Sequence, residues 1–349
     1  MNKPSLLQKT TPEPPETGGR ITNETVAEHR ERILAGGRKF KYPLQYTRRR
    51  VLVISILILL VAVVSFSAFA AWQLYNVQNV GSFMYRLTRI IPFPVAQAEG
   101  EFVRYSDYLR ELRSSIHYFS TKEAVNFKSD DGKRQLEYQK RLALDKAIDN
   151  TIVKKIAKQE GVGVTNQEVN DFVKKQVSGN RLGLTEQSYE QIIRSYYDWS
   201  LEEYKESIRV QLLRKKVAAK IDTAERQKAE AILQALLSGK DFAIAAKESS
   251  EDPNSRENGG DLGVLSIDST DANIVGTAVQ MQPGSFSGVV EGGDGFYIVK
   301  LLEKPNDKEV RVAVIFISYK ALSVKIEEIR QGGIVQEFIE VEPIAKPSS

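Results

Sequence analysis

Cysteine is missing from this 349-residue chain, and histidine occurs only twice, at His29 and His117. Without cysteine there are no disulfides, no thiolate metal sites and no cysteine nucleophile. The absence fits an oxidising or a reducing compartment equally and so does not locate the protein. Two histidines cannot build a multi-histidine metal centre. His29 lies in a polar N-terminal stretch, and His117, between Ile116 and Tyr118-Phe119, reads as a packed helix residue. A large charge excess is also missing. The net charge is only +4, part of it lies just before a long apolar run, and no nucleic-acid partner is expected. No nucleophile–base set or phosphate loop stands out, and Gly292-Gly293-Asp294-Gly295 reads as a hairpin turn. A hydrophobic fraction of 42% with 27% charged residues suits ordinary globular material outside the apolar run.

That run, Val51 to Trp72, carries no charge. Roughly 20 apolar residues span a hydrocarbon core of about 30 Å, so 51–74 is expected to be a transmembrane helix in contact with the lipid bilayer. Arg38, Lys39, Lys41, Arg48, Arg49 and Arg50 precede it, and only Arg86 and Arg89 follow at comparable distance. The basic flank predicts a cytoplasmic N-terminus and extracytoplasmic C-terminal domains. Trp72 and Tyr75 fit an outer aromatic belt, Tyr42 and Tyr46 an inner one. A cleaved signal peptide is the alternative, because Ala68-Phe69-Ala70 has the small-x-small form of a cleavage site. The length of the run and the 50 residues before it argue for an uncleaved anchor.

Along the rest of the chain, residues 1–50 read as a disordered basic cytoplasmic tail with one short helix around Glu24–Leu34. Residues 75–97 read as a juxtamembrane linker, kept extended near its end by Pro92 and Pro94. From 98 to 222 the pattern is helical. Leu144, Ile148, Ile152 and Ile156 form a stripe on a helix that stops near Gly161, and Thr165/Glu168 and Ser200/Glu203 are capping boxes. From 223 to 320 helices over Glu225–Leu237 and after Asp241 give way to Gly-rich turns. The strands Gly288–Val290, Phe296–Lys300 and Val310–Ser318 follow. Residues 321–349 read as a C-terminal helix and tail. Helices followed by antiparallel strands make this an α+β chain.

Several stretches occur in an order that resembles parvulin (PpiC-type rotamase) domains. They are Ala229–Leu233, Gly239-Lys240-Asp241-Phe242-Ala243, Ser250-Glu251-Asp252-Pro253, Gly259-Gly260-Asp261-Leu262-Gly263, Gln282–Gly288 and Gly295–Lys300. Upstream, residues 98–221, above all Leu142–Val177 and Glu202–Leu213, resemble the helical SurA-N-like chaperone domain that precedes parvulin modules in SurA and PrsA proteins.

Isomerising an X-Pro bond means twisting a partial double bond over a barrier of about 18–20 kcal/mol. A site can help by gripping the proline and stabilising the twisted amide. The resemblance implies two histidines on adjacent strands, a nearby acidic or cysteine residue and an apolar pocket. It places the catalytic positions at Asp252, Tyr297 and Val314, with tyrosine and valine in the histidine places. Asp252 reads equally as a turn-forming residue before Pro253. The pocket falls on Ile274, Thr270, Leu262, Met281 and Phe296. The family's first strand is missing from Lys216–Glu225, whereas Val310–Ser318 has its composition. A circular permutation is therefore expected, with Val310–Ser318 paired to Phe296–Leu302.

The resemblance implies a membrane-anchored folding factor for unfolded or nascent exported polypeptides, with a degraded site and weak or absent isomerase activity. No metal or small-molecule cofactor is implied. The alternative is a non-catalytic envelope scaffold that uses the same domain to bind a protein partner.

Overall fold

A computed structural model describes residues 22–41, 44–178, 185–267 and 272–343. The chain divides into two units, residues 1–70 and 71–349.

The first unit holds α1 (Asn23–Lys41) and most of α2 (Leu44–Tyr75). The short helix expected around Glu24–Leu34 is present and runs further, over Asn23–Lys41. Thr22 opens α1 through its N–H to Thr25 Oγ1 at 3.1 Å, and Glu28 and Arg32 pair one turn apart at 3.5 Å. Such i,i+4 pairs support helices that have no tertiary partner. Within α2, the most apolar 18 residues of Arg50–Tyr75 have a mean hydropathy of 3.0, and the segment is long and apolar enough to cross a membrane.

The second unit contains two lobes. The helical lobe starts with α3 (Ser82–Ile90), the hairpin β1 (Pro94–Ala98) and β2 (Glu101–Arg104), and α4 (Tyr105–Thr121). It continues through α5 (Asp130–Gln159), α6 (Asn166–Ser178), α7 (Glu186–Tyr197) and α8 (Leu201–Ile221). The expected stripe Leu144, Ile148, Ile152 and Ile156 is fully buried in its core. Both capping boxes are formed: Thr165 and Glu168 exchange backbone–side-chain bonds of 2.9 and 3.2 Å, and Ser200 and Glu203 do so at 2.8 and 3.3 Å.

Residues 75–97 are not a linker. Met84 of α3 and Val95, Ala96 and Ala98 of β1 pack in the same core as Leu109 and Ile148. The prolines do keep the chain extended, but that extended segment is a strand. One pairing partner, β2, follows at once in a hairpin, whereas the other, β7, comes from near the end of the chain and leaves no local trace.

The second lobe comprises α9 (Thr223–Leu237), α10 (Phe242–Ser249), β3 (Asp261–Ser266), α11 (Ala272–Val279), β4 (Phe286–Glu291), β5 (Gly295–Asn306) and β6 (Glu309–Ser318). Its sheet has the order β3-β6-β5-β4, and every pair is antiparallel. The pairing expected of Val310–Ser318 is present: Tyr297 faces Phe316, Ile298 faces Ile315 and Val299 faces Val314. Alternate residues go to opposite faces, as strand geometry requires. Ile298, Ala313 and Ile315 pack under Leu236 of α9 and Phe242 of α10, whereas Val299, Val312 and Val314 pack under Ile274 and Val275 of α11.

The chain then returns. Leu322, Ile326 and Ile329 of α12 (Ala321–Gln331) complete the helical core, and β7 (Val335–Glu337) pairs antiparallel with β1. The sheet lobe is therefore inserted into a helical lobe built from both sides of it. Asp222, only 2% exposed, sits where the chain crosses in both directions. Its carboxylate accepts the N–H of Glu225 at 3.4 Å, capping α9, and those of Lys320 and Ala321, the latter at 2.9 Å, at the start of α12.

Candidate functional site

The α11 side of the sheet gathers most of the residues singled out in the sequence. Val314 lies on β6 and is buried against Val299, Ile274 and Val275. Its N–H donates to the Gly260 carbonyl at 2.8 Å. Gly260 has φ +85°, and a Cβ there would come within 2.3 Å of the Val314 carbonyl oxygen. Only glycine allows this turn to lie on β6. Leu262 and Met281 pack half-buried against the same cluster.

Tyr297 belongs to that face too. Its ring lies against Phe316, with centroids 4.7 Å apart, and its hydroxyl donates to Asp294 Oδ1 at 2.8 Å. A Cβ on Gly292 would come within 2.3 Å of the ring, so the hairpin glycine makes room for the tyrosine. Tyr297, Val314, Ile274, Leu262 and Met281 are thus brought together. Thr270 lies outside the described residues.

Phe296 is not with them. It is fully buried on the opposite face with Ala229 and Ile317, edge-on to Tyr319 at 5.0 Å and beneath the Arg226 guanidinium at 4.8 Å. Adjacent strand residues cannot share a face, so Phe296 and Tyr297 could not both line one pocket. The period-two pattern was available in the sequence to exclude it.

Asp252 is occupied by its own turn. Its carboxylate accepts from the Asn254 N–H at 3.2 Å and from the Ser255 hydroxyl. This is the Asx geometry of a turn-former before Pro253.

Its neighbour Glu251, not singled out in the sequence, does more to hold the site. The Glu251 N–H donates to the Phe316 carbonyl at 2.7 Å, and its carboxylate accepts from Ser318 Oγ at 2.6 Å, Lys228 at 2.6 Å and Lys320 at 2.8 Å. Burial alone would raise its pKa. The bonds from Lys228, Lys320 and Ser318 outweigh burial and hold the carboxyl at about 2. The stretch Ser250–Pro253 marks the position of Glu251 but not its role, because its partners Lys228, Ser318 and Lys320 lie far from it in sequence. At the other edge Arg311 donates to Asp261 at 2.6 Å and keeps that carboxyl below the usual range.

Chemically the face is apolar, with the Tyr297 hydroxyl at its margin. His117 is on α4, where its ring bonds the Ser195 carbonyl at 3.0 Å, and His29 is on α1, so neither belongs to this face. Val314 is closed into the core with Ile274 of α11, whereas Leu262, Met281 and Tyr297 stay partly accessible at its margin. The face offers no imidazole pair to a twisting amide.

Comparison with known proteins gives a consistent pattern. Residues 44–218, half of the chain, match the SurA-like N-terminal domain, and residues 210–303 match the PPIC-type PPIASE domain of rotamases. The foldase protein PrsA of Caldanaerobacter subterraneus subsp. tengcongensis is 26% identical over 70% of this chain and 87% of its own length. PrsA of Clostridium kluyveri is 28% identical over 42% of each chain. The periplasmic chaperone PpiD of Escherichia coli is 42% identical over 23% of this chain and 13% of its own. Among solved structures, the PrsA peptidylprolyl isomerase of Bacillus cereus shares 21% identity over 59% of this chain and 78% of that one, with a TM-score of 0.23.

Proposed function

The chain belongs to the parvulin-type (PpiC) rotamase family with a SurA-like N-terminal domain, and from that premise we propose that it is a membrane-anchored extracytoplasmic folding factor. It holds unfolded exported polypeptides, and its isomerase site is degraded to weak or no activity. The observation that carries this reading is that Tyr297 and Val314 stand where the family has histidines. Val314 is closed into an apolar core, and Tyr297, Leu262 and Met281 are partly accessible at its margin. Holding an unfolded segment needs an apolar surface, whereas isomerisation also needs polar groups that favour the twisted amide.

Three further features support the placement. The apolar helix Arg50–Tyr75 anchors the chain in the membrane. The basic flank before it keeps the N-terminus cytoplasmic. The lobe inserted between α8 and α12 corresponds to a circularly permuted parvulin domain, with β6 in the slot of the missing first strand, and the family match ends at residue 303, before β6.

The test uses the full chain in lipid nanodiscs. A protease-coupled assay on a prolyl peptide should show little acceleration over the uncatalysed rate, while aggregation of a denatured client should be suppressed. Robust isomerase turnover would overturn the degraded-site reading. No effect in either assay would replace the folding factor by a fixed scaffold.

A further inference from the structure

The helix that follows the membrane span has one face without a protein partner. On α3, Met84 and Thr88 are buried, and Tyr85 and Leu87 are half-buried against the lobe. Tyr85 donates to Glu203, and Arg89 pairs with the same carboxylate at 3.4 Å. The opposite face presents Phe83 and Ile90, 62% and 81% exposed, with Arg86 between them. At about 100° per residue, positions 83 and 90 lie within about 20° of each other around the helix, and 86 within about 60°. Ile91, 41% exposed, follows directly. Single exposed apolar residues are ordinary, but two large ones flanking a cation on one helical face need an occupant. Among the described residues Arg86 has no ion-pair partner.

The position of α3 along the chain identifies that occupant. Only residues 76–81 separate it from α2, and they are folded tightly onto the last turn of that helix. The Asn79 N–H donates to the Gln73 carbonyl at 2.9 Å, and its side-chain amide to Gln73 Oε1 at 2.9 Å. Asn79 Oδ1 in turn accepts from the Gly81 N–H at 2.7 Å, and the Val80 carbonyl accepts from Arg113 at 2.7 Å. The start of α3 is thus fixed beside the end of the helix that leaves the membrane.

We propose that the face of α3 formed by Phe83, Arg86 and Ile90, with Ile91 beside it, lies in the headgroup–acyl boundary of the leaflet from which α2 emerges. Phe83 and Ile90 enter the acyl margin, and the Arg86 guanidinium rests on anionic lipid phosphates, as on other interfacial amphipathic helices. A convex helix surface that follows a span after only residues 76–81 suits a lipid surface better than a peptide, which docks in a groove. The contact would make the anchor a two-point attachment and restrict how the lobes tilt over the membrane. It rests on the anchor reading above.

Because the chain has no cysteine, single-cysteine labels report one position each. The full chain is reconstituted as single copies in nanodiscs of phosphatidylcholine and phosphatidylglycerol. An environment-sensitive fluorophore is placed at Ile90→Cys, at Val63→Cys within the span, and at Val324→Cys on the exposed face of α12. Spin-labelled lipid should quench the labels at 63 and 90, the latter by about twofold or more, and leave the label at 324 unchanged. Adding Phe83→Asp should weaken the quenching at 90. Quenching at 63 but not at 90 overturns the inference and leaves the anchor standing. No quenching at either position overturns the anchor reading and the inference with it. A label at 90 that is shielded but not quenched means that protein covers this face, which also overturns it, as does quenching unaffected by Phe83→Asp.

Discussion

The two lobes of residues 71–343 reach a closed core by different routes. The sheet lobe is continuous in sequence: strands between 261 and 318 pair with one another, and helices between 223 and 279 cover both faces. The helical lobe is not. Its core needs Leu322, Ile326 and Ile329, and its small sheet needs β7, all of which arrive after the sheet lobe has been built. Ion pairs tie that return in place. Arg330 bonds Asp145 at 2.8 Å and Asp149 at 2.7 Å, and Arg141 joins Asp145 to Glu337 at 2.6 and 2.7 Å. A lobe assembled from distant segments is exposed to damage at either end, whereas one assembled locally is not.

The strongest way to break this asymmetry is to end the chain at residue 320. The loss of four buried side chains, Leu322, Ile326, Ile329 and Ile339, each contributing about 1.5–3 kcal/mol, is comparable with the whole stability of a domain. Hydrogen exchange should show protection lost over α4, α5 and α8 but retained over β5 and β6. Equal loss in both lobes would show that the sheet lobe depends on its host. Next in size is Asp222→Ala, which removes a helix cap and leaves buried N–H groups of both crossings unpaired. A loss of about 3 kcal/mol is expected in denaturant titration, with the two lobes unfolding less cooperatively.

A pH series sharpens the contrast from the other side. The folded pKa of Glu251, about 2, lies below its ordinary 4.5. Its stabilising contribution is therefore complete above the ordinary value and fades as pH falls from about 5 toward 2. The melting temperature of the sheet lobe should drop across that window, and Glu251→Gln should flatten the drop. The smallest effect belongs to Tyr297→Phe, which removes one half-exposed hydrogen bond to Asp294. It should cost about 1 kcal/mol or less and leave aggregation suppression unchanged.

How far the site was legible follows from the range of the interactions that build it. Gly260 and Gly292 stand in turns that the sequence marks, and β-branched runs mark β5 and β6. That Tyr297, Val314 and Ile274 belong to one site, however, was implied only by the resemblance to parvulin domains, and their packing on one side of the sheet is a tertiary outcome. Phe296 was misplaced although the strand period excludes it. Glu251 and Asp222 could not be given their roles. Each looks like an ordinary surface acid, and each becomes structural only when Ser318, Lys320 or Ala321 arrives from about 70 to 100 residues away.

By itself the sequence determined what depends on neighbours a few positions apart: the apolar span, the helix caps and stripes, the strand runs and the glycine turns. Torsional preference, helical periodicity and capping act within one or two turns, so the residues carrying them are adjacent in the text. Only the tertiary structure decided that 82–98 belong to a core rather than a linker, that α12 and β7 close the lobe where the chain began, and that one buried carboxylate holds both crossings. Those outcomes depend on which distant surfaces meet. Burial and backbone pairing select that meeting over the whole chain, and no local pattern records it.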